Sequence, residues 1–311
     1  MNQIIISEER SPYYNVALEY ELMQKQGQGC TLLLWQNVPS VFIGRNQNLY
    51  AECDMDYLKE QKILPVRRFS GGGAVFQDEG NVNFSFLAPA EEADVERMKR
   101  TIERAITALG ISCTFSGRND LLAGNRKFSG HAYYEEDGHF LYHGTLLCEE
   151  NLEMLERVLK PSKHKLASKG IASVRSRVVN LKEILPDLTR ERLVEALVWA
   201  FGEEYGLPVE KRKPEKIDRS FCAVKRELLE KLESPEWIYG EAPGWSVVLE
   251  RHFSFGNVSV HVKVKDGLLE DIRIYTDSLD SLDFSVCEKQ LQGRWFEEKE
   301  VFDVIEKSVL S

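Results

Sequence analysis

Three consecutive glycines, residues 71–73, lie between two strand-like segments in the sequence VRRFSGGGAVFQDEGNVNFSF, residues 66–86. Glycine loses more backbone freedom on folding than any other residue, so this run predicts that another group approaches the backbone closely. Successive main-chain N–H groups in such a loop can bind an anion without a helix. Arg67 and Arg68 precede the loop on a strand and should point to opposite faces. One guanidinium can then enter the site and bond a phosphate, while the other is structural or solvated.

Two familiar phosphate-binding loops do not fit this glycine run. A Walker loop ends in Gly-Lys-Ser/Thr, and neither Lys nor Thr follows Gly73. A dinucleotide-binding loop leads into a helix, whereas the residues after Gly73 alternate as in a strand. A strand–loop–strand anion site remains, together with a purely structural alternative in which the glycines form a β-bulge or a close strand crossing.

A second candidate group lies in FSGRNDLLAGNRKFSGHAYY, residues 115–134. Lys127 stands there between Arg126 and a run of small residues, which allows a ligand to approach its ammonium group. A solvated surface charge is the ordinary alternative for a single lysine. Two further candidate segments are HGTLLC at 143–148 and KLASKGIASVRSRVVNL at 165–181.

Composition restricts the class of protein. The 311 residues are 43% hydrophobic and 29% charged, as in ordinary soluble globular proteins. The net charge of −10 argues against non-specific nucleic-acid binding. The bases cluster, however, at 67–68, 126–127, 160–169 and 175–177. Such clusters favour a small-anion pocket about as much as a solvated mixed surface.

Other classes are disfavoured by what the sequence lacks. No apolar run approaches the ~20 residues that cross a bilayer, and the N-terminus lacks the plan of a signal peptide. We therefore expect a cytoplasmic protein without a membrane partner. The 6 cysteines and 6 histidines show no zinc-ligand spacing, so we expect reduced thiols and no metal site built by the protein alone.

The hydrophobic pattern predicts an α+β fold of mixed sheets and helices, with a large domain at residues 1–244 and a small α+β domain at residues 245–311. In the large domain, IIIS at 4–7 predicts an edge strand, and TLLLW and SVFIG predict a hairpin. The charged segment 209–219 predicts a surface connector. Helices are expected at 95–109, 152–159, 190–205, 284–291 and 298–309, and three alternating strands after residue 244.

The candidate segments carry a family resemblance when they are taken in order. They are RRFSGGGAVFQDEGN (67–81), GRNDLL with RKFSGHAY (117–133), HGTLL (143–147) and KGIASVRSRVVNL (169–181). This ordered set resembles the signature blocks of the lipoate–protein ligase A family, and the similarity extends from IGRNQN (43–48) to IYTDSL (274–279).

The resemblance implies a catalytic domain with the fold of biotin– and lipoate–protein ligases and a small accessory domain. It also implies an enzyme that uses ATP and Mg²⁺ to convert lipoate to lipoyl-AMP and then transfers the acyl group to a lysine of a lipoyl-carrier domain. The implied carriers are E2 subunits of 2-oxoacid dehydrogenases and the glycine cleavage H protein. The implied process is lipoate salvage.

The resemblance also assigns roles to individual residues. Lys127 matches the family's essential lysine, which implies contacts with the lipoate carboxylate and the α-phosphate. Ser70, Gly71 and Gly72 are implied in lipoate binding, with the glycines opening an acyl slot. Asn119 and Asp120 are candidates to hold Mg²⁺ through waters and phosphates. The remaining matches to the nucleotide-binding stretch are Arg68, Gly73, Ala74, Val75 and Phe76.

Two positions depart from the family pattern. Gln77 stands where the family usually has His, and Gln hydrogen-bonds but does not titrate near neutrality. His131 stands where the family more often has a small polar residue. One hypothesis is that His131 partly replaces the missing His, so that His131→Ala slows acyl transfer and Gln77→His restores some of it. A packing role for His131 is the alternative.

Two other functions stay open at this point. A transferase that moves an octanoyl or lipoyl group without ATP needs a nucleophilic cysteine, for which Cys113 and Cys148 are the nearest candidates. Both are expected to be buried strand residues without a reactive setting. A non-catalytic protein that sequesters lipoate is the second alternative, and the retention of Lys127 argues against it. The sequence leaves the choice between lipoate and octanoate undecided.

Overall fold

The structure is a computed structural model that describes residues 1–117, 119–159, 177–218, 224–239, 247–265 and 268–310. Within these residues the strands are β1 (Gln3–Ser7), β2 (Thr31–Trp35), β3 (Ser40–Ile43), β4 (Leu64–Arg67), β5 (Val75–Gln77), β6 (Asn81–Pro89), β7 (Thr114–Ser116), β8 (Asp120–Ala123), β9 (Arg126–Glu136), β10 (His139–Leu147), β11 (Glu215–Ile217), β12 (Val247–Phe253), β13 (Gly256–Lys265) and β14 (Leu268–Thr276). They form an eight-stranded sheet in the order β11-β1-β2-β6-β10-β9-β8-β7 and a three-stranded sheet in the order β4-β3-β5. A separate three-stranded sheet, β12-β13-β14, lies in the C-terminal part.

Helices cover the faces of these sheets and begin at the signals the sequence provides. In the described residues the α-helices are α1 (Pro12–Gln24), α2 (Leu49–Glu52), α3 (Met55–Glu60), α4 (Val95–Ala108), α5 (Leu152–Val158), α6 (Leu181–Ile184), α7 (Arg190–Glu204), α8 (Arg226–Glu233), α9 (Pro235–Tyr239), α10 (Ser285–Leu291) and α11 (Glu298–Leu310). Ser11 caps α1, where its hydroxyl accepts from the N–H of Tyr14 and Pro12 occupies the first turn. Gly110, with φ of +87°, follows the end of α4 in the left-handed conformation typical of helix C-termini. None of the helices in the described segments is long and apolar enough to cross a membrane.

Strand β6 shows how the large sheet divides its two faces. Val82 and Phe84 are fully buried in the main core, together with residues of α4 and α7. The alternate residues Asn83 and Ser85 are buried too, on the opposite face, where the Asn83 amide donates to Gln77 and the Ser85 hydroxyl donates to Glu19. A strand that is buried along almost its whole length and has one polar face indicates that this face borders something other than a hydrophobic core.

The C-terminal unit is a three-stranded antiparallel sheet packed against α10 and α11, around its own core of residues such as Val260 and Phe302. The end of β14 and the segment that follows it contact the large domain. Thr276 N–H donates to Asn46 O at 2.8 Å, and Gly72 N–H donates to Ser278 O at 2.5 Å. The predicted boundary between residues 244 and 245 falls outside the described residues and stays a prediction.

Three local predictions are wrong. Strand β1 is not at an edge, because β11 pairs with it in parallel on the side opposite β2. The segment 209–219 is not merely a surface connector, because it contains β11. Segments β2 and β3 do not form a hairpin. Strand β2 already pairs with β1 and β6, so β3 pairs instead with β4 and β5 in the smaller sheet.

Candidate active site

A cavity of about 340 Å³ brings together most of the residues singled out from the sequence. Its walls come from both sheets of the large domain and from α1, and the accessory domain contributes Phe255, Asp277 and Leu279. The predicted site residues that line it are Arg68, Gly72, Gly73, Ala74, Val75, Gln77, Asn119, Asp120, Lys127 and His131.

Three predicted site residues do not line this cavity: Ser70, Gly71 and Phe76. Phe76 is 2% exposed and packs in a hydrophobic cluster with Val41 and Tyr57, because its side chain points to the face of β5 opposite Gln77. Its match to the nucleotide-binding stretch therefore concerns its main chain.

Lys127 lies on β9 with its ammonium group in the cavity. The Nζ atom forms an ion pair with Asp120 Oδ1 at 2.7 Å, and both side chains are partly exposed. A Cβ atom added at Gly130 would lie 2.9 Å from Nζ, so the missing side chain at Gly130 creates the space in which the ammonium sits. Val179 N–H donates to Lys127 O at 2.9 Å and fixes the main chain at this point.

Asn119 and Asp120 stand beside Lys127 at the same end of the cavity. Asn119 Nδ2 donates to His131 O at 3.1 Å, so the amide oxygen of Asn119 is not used in that contact. A carboxylate and an amide oxygen next to a predicted phosphate position suit Mg²⁺, which binds oxygen and usually takes one or two carboxylates plus phosphate oxygens.

The side chains of Arg67 and Arg68 point in opposite directions and have different partners, as alternation along a strand predicts. Arg67 points away from the cavity and donates to main-chain carbonyls, among them Gln47 O at 2.7 Å and Trp237 O at 2.8 Å, so it is structural. Arg68 lines the cavity, and its Nη2 donates to Gly71 O at 2.6 Å and Gly73 O at 2.8 Å. Burial lowers the pKa of Arg68 to about 10, which still leaves the guanidinium charged at neutral pH. Arg68 thereby shapes the glycine loop and places a positive charge directly beneath it.

The glycine loop meets a partner that the sequence does not reveal. A Cβ at Gly71 would lie 2.2 Å from Ser278 O, so the group that approaches this backbone is the main chain of the accessory domain. Gly72 has φ of +91°, a conformation that side-chain-bearing residues rarely adopt, and it lines the cavity. The acyl slot expected at Gly71 is occupied by this domain contact, and a lipoate-binding role for Gly71 stays a prediction.

A buried polar chain that sequence reasoning missed supports one cavity wall. Ser70 Oγ and His143 Nε2 are 2.7 Å apart, and His143 Nδ1 lies 2.9 Å from Glu19 Oε1. Ser85 Oγ also donates to this Glu19 oxygen and in turn accepts from Trp35 Nε1 at 2.9 Å. Ser70 is thus an anchor behind the wall. The sequence signal that could have revealed this chain of polar residues is the alternation of polar with apolar residues in the buried strands β6 and β10.

His131 lines the cavity but has both ring nitrogens engaged. Its Nε2 is 2.9 Å from Ser129 Oγ, and its Nδ1 bonds the hydroxyl of Tyr142. Burial, with a further contribution from the charge of Lys127, lowers the pKa of His131 to about 3, so the ring is neutral. Its ring packs edge-on against Phe84. These surroundings favour a packing role, and the proton-transfer hypothesis stays a prediction.

The cysteine candidates for a thioester route lie in unreactive settings. Neither Cys113 nor Cys148 lines the cavity, and burial raises the pKa of each thiol to about 11. A thiolate is therefore disfavoured at both positions. Cys222, like the basic clusters at 160–169 and 175–176, lies outside the described residues.

Comparison with known families and structures agrees with this site. The family model described as lipoyl protein ligase A/B catalytic domain matches residues 11–202, which is more than half of the chain. The chain belongs to the lipoate–protein ligase family. A second family model, bacterial lipoate protein ligase C-terminus, matches residues 242–311 and confirms the small C-terminal domain.

Solved structures of lipoate–protein ligases have the same fold. The chain is 27% identical to LipL1 of P. falciparum in complex with lipoate, with a TM-score of 0.82 over 99% of this chain and 94% of that one. It is 26% identical to a bi-partite lipoate protein ligase from Thermoplasma acidophilum, described with its E2 lipoyl domain, with a TM-score of 0.67 over 79% of this chain and 100% of that one. It is 25% identical to a lipoate-protein ligase A bound with ATP, with a TM-score of 0.67 over 77% and 98%. The α+β fold class and the family resemblance are thus confirmed.

Proposed function

We propose that this lipoate–protein ligase family member activates lipoate with ATP and transfers the lipoyl group to a lysine of a lipoyl-carrier domain. The observation that carries the proposal is a single cavity that holds the ammonium of Lys127, the glycine loop shaped by Arg68, and an apolar wall. A carboxylate, a phosphate and an acyl chain are the three groups that these features suit. The solved relatives bound to lipoate and to ATP support it.

In the proposed binding mode, the lipoate carboxylate lies at Lys127, which exchanges its contact with Asp120 for the substrate. The acyl chain extends along the wall formed by Val16, Trp35, Phe42 and Val75. The phosphates lie against the main-chain N–H groups of Gly73 and Ala74, where the charge of Arg68 and the amide dipoles oppose phosphate repulsion.

The first step then joins a lipoate carboxylate oxygen to the α-phosphorus and breaks the bond to the β-phosphate oxygen, so that pyrophosphate leaves with that electron pair. Negative charge moves onto oxygens near Lys127, and a preorganised cation there lowers the barrier. Asp120 and Asn119 would hold Mg²⁺, which supplies charge neutralisation for the phosphates when bound.

In the second step, the neutral ε-amine of the carrier lysine attacks the mixed anhydride carbonyl. The new amide C–N bond forms, the single bond between the acyl carbon and the phosphate oxygen breaks, AMP leaves with that electron pair, and the amine proton is released to solvent. Lys127 remains in place to hold the anhydride. We propose E2 lipoyl domains and the glycine cleavage H protein as acceptors, lipoate salvage as the process, and the cytoplasm as the location. The description of a relative together with its E2 lipoyl domain supports the first of these acceptors.

Lipoate-dependent exchange of pyrophosphate into ATP tests the activation step. We expect exchange in the unchanged protein and a loss of at least about 100-fold in Lys127→Ala, because a charge-stabilising donor is worth about that much in a catalytic site. Gly27→Ala is the matched control, since nothing lies within 4 Å of the added Cβ. No exchange in the unchanged protein would contradict ATP-dependent activation.

A further inference from the structure

We infer that Gln77 makes the cavity selective for an acyl acid whose tail carries a hydrogen-bond acceptor, such as the dithiolane of lipoate, over a plain saturated acid such as octanoate. This inference rests on the proposed function and specifies its substrate. It is carried by a network of buried amides that fixes which end of the Gln77 side chain faces the cavity.

The orientation of this network is set by main-chain groups. Asn15 Nδ2 donates to Glu9 O at 3.0 Å and to Gln36 O at 2.9 Å, and carbonyl oxygens can only accept. The same nitrogen lies 3.0 Å from Asn37 Oδ1, so that Asn37 must present its own nitrogen on the other side. Asn37 Nδ2 then donates to Gln77 Oε1 at 2.7 Å.

A second chain reaches the same oxygen from β6. Asn81 Nδ2 donates to Asn83 Oδ1 at 3.1 Å, and Asn83 Nδ2 donates to Gln77 Oε1 at 3.1 Å. Gln77 Oε1 therefore accepts two hydrogen bonds. No group within the described part of the chain accepts from Gln77 Nε2, although the residue is only 3% exposed and lines the cavity.

The position of Gln77 places this donor at the acyl-tail end. Gln77 bonds Asn83 on β6, whereas Lys127 lies on β9 and bonds Asp120 on β8, so that β10 separates the strand that Gln77 contacts from the strand that carries Lys127. Two strand spacings amount to about 10 Å. A substrate whose carboxylate lies at Lys127 therefore extends its tail towards Gln77.

Glu19 and His143, which line the same end, are already bonded to each other and to Ser85 and Ser70. Gln77 Nε2 is in contrast a neutral donor for which the described residues offer no acceptor, so that a substrate atom can take this role. A sulfur atom is a weak acceptor, whereas a hydrocarbon tail offers this buried donor no acceptor. Sites built to bond a substrate group disfavour analogues that lack it. Because sulfur accepts weakly, we expect a modest preference of about fivefold to tenfold for lipoate.

The test compares kcat/KM for lipoate and for octanoate in ATP–pyrophosphate exchange. Gln77→Leu removes the donor at similar volume, and the ratio should fall to about one, chiefly because octanoate is used better. Gln61→Leu on the exposed end of α3 is the matched control and should keep the original ratio. Gln77→Met, which also lacks the donor, takes the place of Gln77→Leu if the latter does not fold.

A second readout separates donor chemistry from cavity shape. Gln77 does not titrate, so the lipoate-to-octanoate ratio should be constant between pH 6 and pH 8, while Gln77→His should give a ratio that changes near the ordinary histidine pKa of ~6.5. An unchanged ratio in folded Gln77→Leu, or a preference for octanoate in the unchanged protein, would overturn the inference while leaving ATP-dependent activation intact. Exchange with neither acid would overturn the proposed function and the inference with it.

Discussion

The substitution Gly130→Ala is the sharpest test of whether the position of the Lys127 ammonium group matters for the reaction. The added Cβ would lie 2.9 Å from Nζ and 3.1 Å from Cε, whereas ordinary contact is 3.4–4 Å. The lysine end must therefore move by about 0.5–1 Å, and a misplacement of about 1 Å in a catalytic group can cost about 100-fold in rate. We expect kcat for lipoate adenylation to fall by about 10- to 100-fold.

Stability should respond very differently, because the clash involves the free end of a flexible side chain. We expect the free energy of unfolding in urea to change by less than about 0.5 kcal/mol. The loss of rate should also depend on the lysine. In a double-mutant cycle, Gly130→Ala should have little further effect once Lys127→Ala is present. Unchanged adenylation in Gly130→Ala, or an equal loss in both backgrounds, would refute the reasoning.

Three further predictions concern the surroundings of the site. Gly71→Ala should lower the free energy of unfolding by about 1–3 kcal/mol in urea titrations, because its Cβ meets the Ser278 carbonyl at 2.2 Å and main chain cannot easily yield; no loss would contradict this domain contact. His131 has a folded pKa of about 3 and an unfolded pKa of ~6.5, so the unfolded chain binds the proton first as the pH falls. Its contribution to stability is complete above about pH 6.5 and declines between pH 6.5 and 3 by up to about 1.4 kcal/mol per pH unit, and His131→Phe should flatten this part of a stability–pH curve; an unaltered slope would show that folding does not shift the pKa of His131. Cys113→Ala and Cys148→Ala should each retain ATP-dependent lipoyl transfer, and abolition of transfer in a folded variant would restore the thioester route.

Local patterns were sufficient for much of the fold. The helix predicted at 95–109 is α4, and the three strands predicted after residue 244 are β12, β13 and β14. Strand β11 was missed because its three residues lie in a charged segment, and only its parallel pairing with β1 makes it a strand. Pairing partners far apart in sequence are set by tertiary packing, which no local pattern reveals.

The sequence predicted those parts of the candidate site that consist of glycines and charged residues. It did not reveal the parts that form only when residues far apart in sequence come into contact. Lys127 and Arg68 stand beside small residues that permit close approach, which is visible in sequence. The contact between Glu19 and His143 joins residues 124 positions apart. Asn83 resembles the solvent side of an ordinary strand, but in the fold it lines the cavity and bonds Gln77. Gly71 was correctly expected to meet a close neighbour, but that neighbour is the accessory domain.

The most direct test of the central claim is the intact mass of a purified E2 lipoyl domain after incubation with the protein, lipoate and MgATP. We predict the mass increase of one lipoyl group, on a single lysine, with none when ATP is omitted or when Lys127→Ala is used. Modification without ATP from an acylated carrier, or no modification while pyrophosphate exchange proceeds, would contradict ATP-dependent lipoylation by this protein.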